Sequence, residues 1–327
     1  MRRRTMLASV GATPAILGLA RGARAATGKR FTIALVPGLT TDAFYITMHR
    51  GAQAAAEALG VDLVFQGAPA FNPVSQVPVL DAVVARHPDA LLVAPTDKTQ
   101  LIQPLRNAAN AGIPVITVDT YIGTGQYGTG SGPADFPLSY IASNNTTGGE
   151  IAARALAGAI GGKGKVYVSN IEAGVSTTDQ REAGFKAEMA KHSGITVLAT
   201  EFNDDDANKA ASQSQSVLAR HPDLAGIFGT NLFSALGAGN GVQQSGASGK
   251  VKVVAFDAPL SIVGQLKSGL VSIAIAQHPA EIGWFAVAAA YAHLTGQSVP
   301  LSIATGFTII DRNNVDDPKI KPFLYAA

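Results

Sequence analysis

An α/β protein of two similar lobes, each a parallel sheet with helices on both faces, is what this sequence predicts. Three observations carry the prediction. The chain repeats itself: Val83-Val84-Ala85-Arg86-His87-Pro88-Asp89 returns as Val217-Leu218-Ala219-Arg220-His221-Pro222-Asp223, an offset of 134 positions, and each copy runs into an apolar stretch ending in Thr, at Thr96 and Thr230. Short apolar runs alternate with longer amphipathic ones, which is the pattern of β-α-β units. At 327 residues the chain is too long for one ordinary core and suits two.

The elements follow in order. Strands are predicted at Thr32–Val36, Asp62–Phe65, Ala90–Val93 and Val115–Val118, with helices at 45–59, 74–86 and 98–111 between them. Gly60, Pro88 and Gly112 supply the stops. The second half repeats the scheme: strands at 165–169, 195–199, 225–228 and 251–255, helices at 180–191, 207–220 and 233–245. Gly51 aligns with Gly184, and the strand Ile113 to Asp119 aligns with Val251 to Asp257. A last helix over 279–295 carries the single Trp, Trp284, read as core packing. His87 and His221 match within the repeat, which favours a turn role over catalysis. Residues 123–137 form a loop rich in Gly, Ser and Pro, long enough to be either functional or mobile. Its Gly123-x-Gly125-x-x-Gly128 is not a dinucleotide fingerprint, because further Gly and Pro prevent a helix from starting there.

Composition excludes several functions. The net charge is +2, so no basic surface argues for nucleic acid. With no Cys there is no thiol nucleophile, no Cys-bound zinc, no disulfide and no lipoprotein anchor. The first 25 residues read as a targeting segment: Arg2-Arg3-Arg4, an uncharged apolar stretch over 6–20, and Ala23-Arg24-Ala25 as a cleavage site before Ala26. Arg3-Arg4-Thr5-Met6-Leu7 fits the twin-arginine export route as well as the general one. The mature protein is expected to be soluble and exported.

In parallel α/β sheets, ligands bind beyond the carboxyl ends of the strands. Those ends give Thr40 to Tyr45, Pro95-Thr96-Asp97 and Asp119-Thr120 in the first half. In the second half they give Gly174-Val175-Ser176 with Arg181, then Asn203 to Asp206, Thr230-Asn231 and Phe256-Asp257. Carboxylates, amides and a guanidinium among aromatic rings suit a ligand rich in hydroxyls. Taken singly, Asp42 and Asp97 read as helix N-caps, and Asp204 to Asp206 as a cap rather than a calcium loop, which would need a central Gly and a terminal Glu. Enzyme signatures fail: Gly246 to Lys250 is neither a nucleophile elbow nor a Walker loop, and no two His sit at metal-ligand spacing. No metal and no cofactor are expected.

With these residues in place, the chain resembles the periplasmic sugar-binding proteins of ABC importers, most closely the ribose-binding type, whose fold is shared by the sensor domains of LacI-like repressors. The resemblance covers residues 30–310. It rests on Ile33 to Val36 with Phe44-Tyr45, Pro95-Thr96-Asp97, Ile113 to Asp119, Ile141 to Asn145 with Gly148-Gly149, Arg181 with Gly184-Phe185, Phe256-Asp257 and Ile275-Ala276-Gln277. It implies the type I periplasmic binding protein fold, two Rossmann-like lobes joined by a three-strand hinge. The crossings fall near Asn144, Gln277 and Ile310. The first lobe is then 28–143 plus 278–310 and the second 145–276, with 311–327 an unassigned tail.

The resemblance implies ligand contacts from Asp42, Phe44, Tyr45, Asp119, Arg181, Asn231, Phe256, Asp257 and Gln277. Thr120 stands where ribose binders carry Arg, Ala94 and Asp42 where they carry Asn, and Asp205 where they carry a stacking Phe. These departures leave another pentose, a deoxysugar or a polyol as plausible as ribose, and Gly67-Ala68-Pro69 with Gln76-Val77 is similar to the rhamnose and autoinducer-2 branch. The implied protein is a monomer that captures a monosaccharide or polyol and delivers it to a membrane permease. The alternatives are a chemosensory receptor for the same ligand and, behind it, an exported enzyme. A LacI-like regulator would need a helix-turn-helix where the export segment stands.

Overall fold

A computed structural model describes residues 30–325, so the export segment lies outside the described residues. The chain builds two sheets. The first holds β1 (Thr32–Val36), β2 (Asp62–Phe65), β3 (Ala90–Val93), β4 (Val115–Val118), β5 (Ser139–Ser143) and β12 (Ser302–Thr305) in the order β12-β5-β4-β3-β1-β2, all parallel. The second holds β6 (Gly164–Asn170), β7 (Ile195–Val197), β9 (Leu224–Gly229), β10 (Lys252–Phe256), β11 (Ile273–Gln277) and β13 (Phe307–Asp311) in the order β13-β11-β10-β9-β6-β7. Here β13 runs antiparallel to β11, and the two-residue β8 (Glu201–Phe202) pairs with β6. Read strand for strand, the two orders are the same. The repeat in the sequence is therefore a repeat of topology.

Helices cover both faces of each sheet. On the first sheet, α1 (Ala43–Leu59) and α9 (Pro279–Leu294) pack on one side, α2 (Pro73–Val84) and α3 (Ile102–Asn110) on the other. On the second, α4 (Asn145–Ala159) and α5 (Ser176–Met189) lie on one side. The helices α6 (Ala207–Arg220), α7 (Leu232–Gln244) and α8 (Leu260–Ser268) follow these along the chain, and α7 and α8 pack on the other side. The chain leaves the first sheet after β5 to lay α4 on the second, and leaves the second after β11 to lay α9 on the first. Each crossing helix packs tightly on its neighbour through glycine. A Cβ at Gly51 would strike the Ala280 carbonyl and one at Gly283 the Met48 carbonyl; one at Gly184 would strike Thr146 and one at Gly149 Arg181. The aligned Gly51 and Gly184 thus do the same work in the two halves: bare backbone where two helices touch.

Two expectations need correction. The third crossing falls at Gly306, between β12 and β13, and not at Ile310. The register of β13 along the whole of β11 places residues 307–310 in the second sheet. Trp284 is 41% exposed and not core, because α9 turns Ile282, Ala286, Val287 and Ala290 to its sheet and sends Trp284 outward. The tail left unassigned packs on both halves. Val315 joins the second sheet's core, Phe323 packs against it, and Tyr325 ends buried in the first. The 123–137 loop is anchored by Tyr127, whose hydroxyl meets Thr117 Oγ1 at 3.0 Å and accepts from the Ile122 amide. No helix among the described residues is long and apolar enough to cross a membrane.

Candidate functional site

Both sheets present the carboxyl ends of their strands to one cleft. This is where the strand order turns back, between β1 and β3 in one sheet and β6 and β9 in the other. The cleft is lined by Asp42, Phe44, Tyr45, Phe71 and Asp119 from the first half. The second half supplies Ile171, Val175, Thr177, Thr178, Arg181, Asp205, Asn231, Asp257 and Gln277.

The two strand-end aspartates are the clearest pair. Asp119 follows β4 and Asp257 follows β10, the same place in each sheet, and both adopt left-handed backbone, with φ of 59° and 78°. Asp tolerates that conformation better than bulkier residues, and it turns the carboxylate from the strand into the cleft. Each is braced by a phenol. The Tyr45 hydroxyl donates to Asp119 Oδ2 at 2.7 Å, and the Tyr325 hydroxyl donates to Asp257 Oδ1 at 2.8 Å. Asp257 Oδ1 also accepts from Gln277 Nε2 at 2.8 Å, and its Oδ2 accepts from the Leu232 amide at 3.2 Å.

Arg181 is the counter-charge. It is 3% exposed and lies over the Phe256 ring at 4.0 Å. Its Nε donates to Asn145 Oδ1 at 2.8 Å and its Nη1 to the Thr230 carbonyl at 2.9 Å. Together these contacts fix the guanidinium plane. Asn231 caps α7 through Oδ1 and donates from Nδ2 to Asp205 Oδ1 at 2.7 Å. Asp42 caps α1 by accepting the Phe44 amide, as the sequence suggests, and still lines the cleft.

Four carboxyl groups face one guanidinium in a buried space, and the acidity of Asp42, Asp119 and Asp205 responds. Burial raises Asp42 well above the ordinary range, with the charges of Asp257, Asp205 and Asp119 adding to it. Burial lifts Asp119 to about 6 against the pull of Arg181 and the Tyr45 bond. Burial lifts Asp205 to about 7, opposed by its bond from Asn231. Near neutral pH such a set holds both protonated and ionised carboxyls, so it can donate to some hydroxyls and accept from others.

Of the eleven residues expected at the site, nine line the cleft. The other two do not. Phe256 is fully buried beneath Arg181, between Phe228 and Phe307, so it carries the guanidinium and does not face the cleft. Thr120 is buried beside Asp119 and lies outside the lining, its Oγ1 without a partner in the structure. The aspartate triplet divides its labour. Asp206 caps α6, Asp204 pairs with Lys209, and Asp205 alone reaches the cleft.

Phe71, Ile171, Thr177 and Thr178 were missed. Phe71 sits in the β2–α2 connection, several residues past the end of β2 and away from the polar strand-end residues. Thr177 and Thr178 open α5 just past the Val175-Ser176 strand end. Among the described residues no cluster of His, Asp and Glu could hold a metal ion.

Three comparisons bear on this geometry. Residues 33–298 match the family model described as periplasmic binding protein domain. The ribose import binding protein RbsB of Escherichia coli (strain K12) is 33% identical over 268 residues, 82% of this chain and 86% of that protein. An ABC transporter solute-binding protein from Agrobacterium vitis, solved with α-D-tagatopyranose bound, is 71% identical with a TM-score of 0.91, covering 91% of this chain and all of that one. A second from the same organism, with D-fucose bound, is 28% identical with a TM-score of 0.83, covering 90% of this chain and all of that one. These relatives are binding proteins, which bears out a non-catalytic reading. With the two-sheet topology and the expected resemblance both met, the chain belongs to the periplasmic binding protein domain family.

Proposed function

We propose that the chain is a periplasmic solute-binding protein that captures a monosaccharide, a hexose pyranose of the tagatose kind, and delivers it to an ABC permease. The observation that carries this is the convergence of four carboxyls, one stacked guanidinium and the rings of Phe44, Tyr45 and Phe71 on one cleft supplied by both halves. Carboxyls and guanidinium bond sugar hydroxyls, and the rings cover the apolar face of the sugar. The 71% identity to a protein holding α-D-tagatopyranose favours a ketohexose over ribose. The binding step is hinge closure at the three crossings, driven by contacts that only the closed form makes to the guest. A dissociation constant near 1 μM needs about 8 kcal/mol, within reach of four or five charge-assisted bonds.

The working unit is a monomer with no nucleic-acid partner, and residues 1–25 direct export, with the twin-arginine route fitting their arginines. Titration calorimetry of the purified protein against D-tagatose, D-fucose, D-ribose, D-allose and D-arabinose tests the reading. Tagatose is expected to bind most tightly. Tight binding of another sugar alone removes the tagatose assignment, and binding of none removes the sugar reading.

A further inference from the structure

The segment after β13 adds no strand to either sheet, yet its Tyr325 bonds two residues of the cleft. From Arg312 it runs along the second half, makes a short 3-10 turn at Lys321–Phe323, and pairs Tyr325 with Pro259 just past β10. The Tyr325 amide donates to the Ala258 carbonyl at 3.0 Å. Its ring lies in the other half's core, edge-on to Phe44 with centroids 5.9 Å apart, and is 1% exposed. Its hydroxyl donates to Asp257 Oδ1 and accepts from the Gln277 amide at 2.9 Å, at the second crossing. One side chain therefore touches the first core, a crossing strand and a cleft carboxylate of the second half.

The duplication shows what this contact does. In the first half, the strand-end Asp119 is braced by Tyr45 from α1. In the second half, the α5 position that matches Tyr45 through the Gly51 and Gly184 alignment is Thr178, and α5 holds no Tyr to reach Asp257. We infer that the C-terminal segment supplies the missing brace, and that Tyr325 is a positioning residue for the sugar site, orienting the Asp257 carboxylate as Tyr45 orients Asp119. With Oδ1 held by Tyr325 and Gln277, the carboxylate cannot rotate away from the cleft. This deepens the sugar reading and rests on it.

The test uses the full chain and D-tagatose, with the set of its monodeoxy derivatives as probes. Tyr325→Phe keeps the ring against Phe44 and removes only the hydroxyl. It is expected to fold with the wild-type circular dichroism spectrum and to bind tagatose roughly tenfold more weakly. The loss is expected to vanish for the one derivative that lacks the hydroxyl meeting Asp257, where wild type and variant should bind alike. Tyr325→Ala, which also removes the ring, should lose stability as well, separating packing from positioning. Equal tagatose affinity in wild type and Tyr325→Phe overturns the inference. So does a uniform loss across every derivative, which would mean that the hydroxyl acts on closure and not on Asp257. A wild type that binds no sugar overturns the proposed function and this inference together, whereas a wild type that binds beside an unaffected variant overturns this inference alone.

Discussion

Lys98 Nζ and Asp179 Oδ2 stand 2.8 Å apart, the lysine from the first half and the aspartate from α5 of the second. Beside them the Tyr121 amide donates to Ser176 Oγ at 3.0 Å, again from one half to the other. Both contacts join the two halves, so the proposed hinge opening would break them. Both charged side chains are about one-third exposed, 37% and 31%, so the pair is worth at most about 1 kcal/mol. Lys98→Ala is expected to weaken sugar binding by up to about fivefold, nearly all of it in a faster off-rate, and stopped-flow kinetics in about 1 M salt should erase the difference. A slower on-rate with an unchanged off-rate would show that the pair does not hold the closed form.

The cleft carboxyls make stability depend on pH. Asp119 and Asp205 bind a proton more readily folded than unfolded, since burial lifts them to about 6 and about 7. Their stabilising contribution is complete below the unfolded value of about 4 and is lost as pH rises through the folded values. The ligand-free protein is expected to melt at a higher temperature at pH 5 than at pH 8. Asp205→Asn should flatten the upper part of that slope. A melting temperature that climbs from pH 5 to 8 would contradict the carboxyl arrangement.

Arg181 joins fold and site, so it cannot be removed cleanly. Arg181→Ala leaves Asn145 Oδ1 and the Thr230 carbonyl without their donor, at about 1–3 kcal/mol each, and leaves four carboxyls without their counter-charge. Both sugar affinity and thermal stability are expected to fall. Arg181→Lys keeps the charge but loses the planar fork over Phe256, and should keep more stability than affinity. Calorimetry and thermal melts on the two variants check the order.

Gly149 sets where Arg181 stands. A methyl there meets the Arg181 carbonyl itself, which only a shift of α4 from α5 relieves. Gly149→Ala is expected to cost about 1–3 kcal/mol of stability and to weaken sugar binding by moving the guanidinium. Chemical denaturation and calorimetry read the two effects. Full affinity in a destabilised variant would mean that α5 holds its place without α4.

Phe71 is half-buried on the β2–α2 connection, against Gly38. As a ring at the cleft wall, it should contribute about 1 kcal/mol or more of aromatic contact to a bound sugar. Phe71→Ala is expected to weaken binding about tenfold with a small change in melting temperature. An unchanged affinity would place Phe71 outside the sugar's reach.

Much of this was legible in the chain. Strand ends were readable because apolar runs and their stops are local, and the residues beyond them include nine that line the cleft. Phe256 was misjudged because alternation along a strand does not say which side of an arginine a ring will take. Thr120 is buried and outside the lining, and adjacency in sequence to a cleft aspartate did not show that. Phe71 was missed because a lone aromatic in a loop carries no local mark of where its side chain goes.

The duplicated α/β scheme, the strand-end aspartates and the matching Gly51 and Gly184 can be read from the chain, because periodicity and turn residues are local and the repeat compares short windows. Only the tertiary structure decided that β13 completes the second sheet across Gly306, that Arg181 rests on Phe256, and that Tyr325 reaches from the C-terminal segment to Asp257. Those relationships join residues 75, 68 and fewer positions apart through packing and hydrogen bonds across the fold, and no pattern within a short window encodes them.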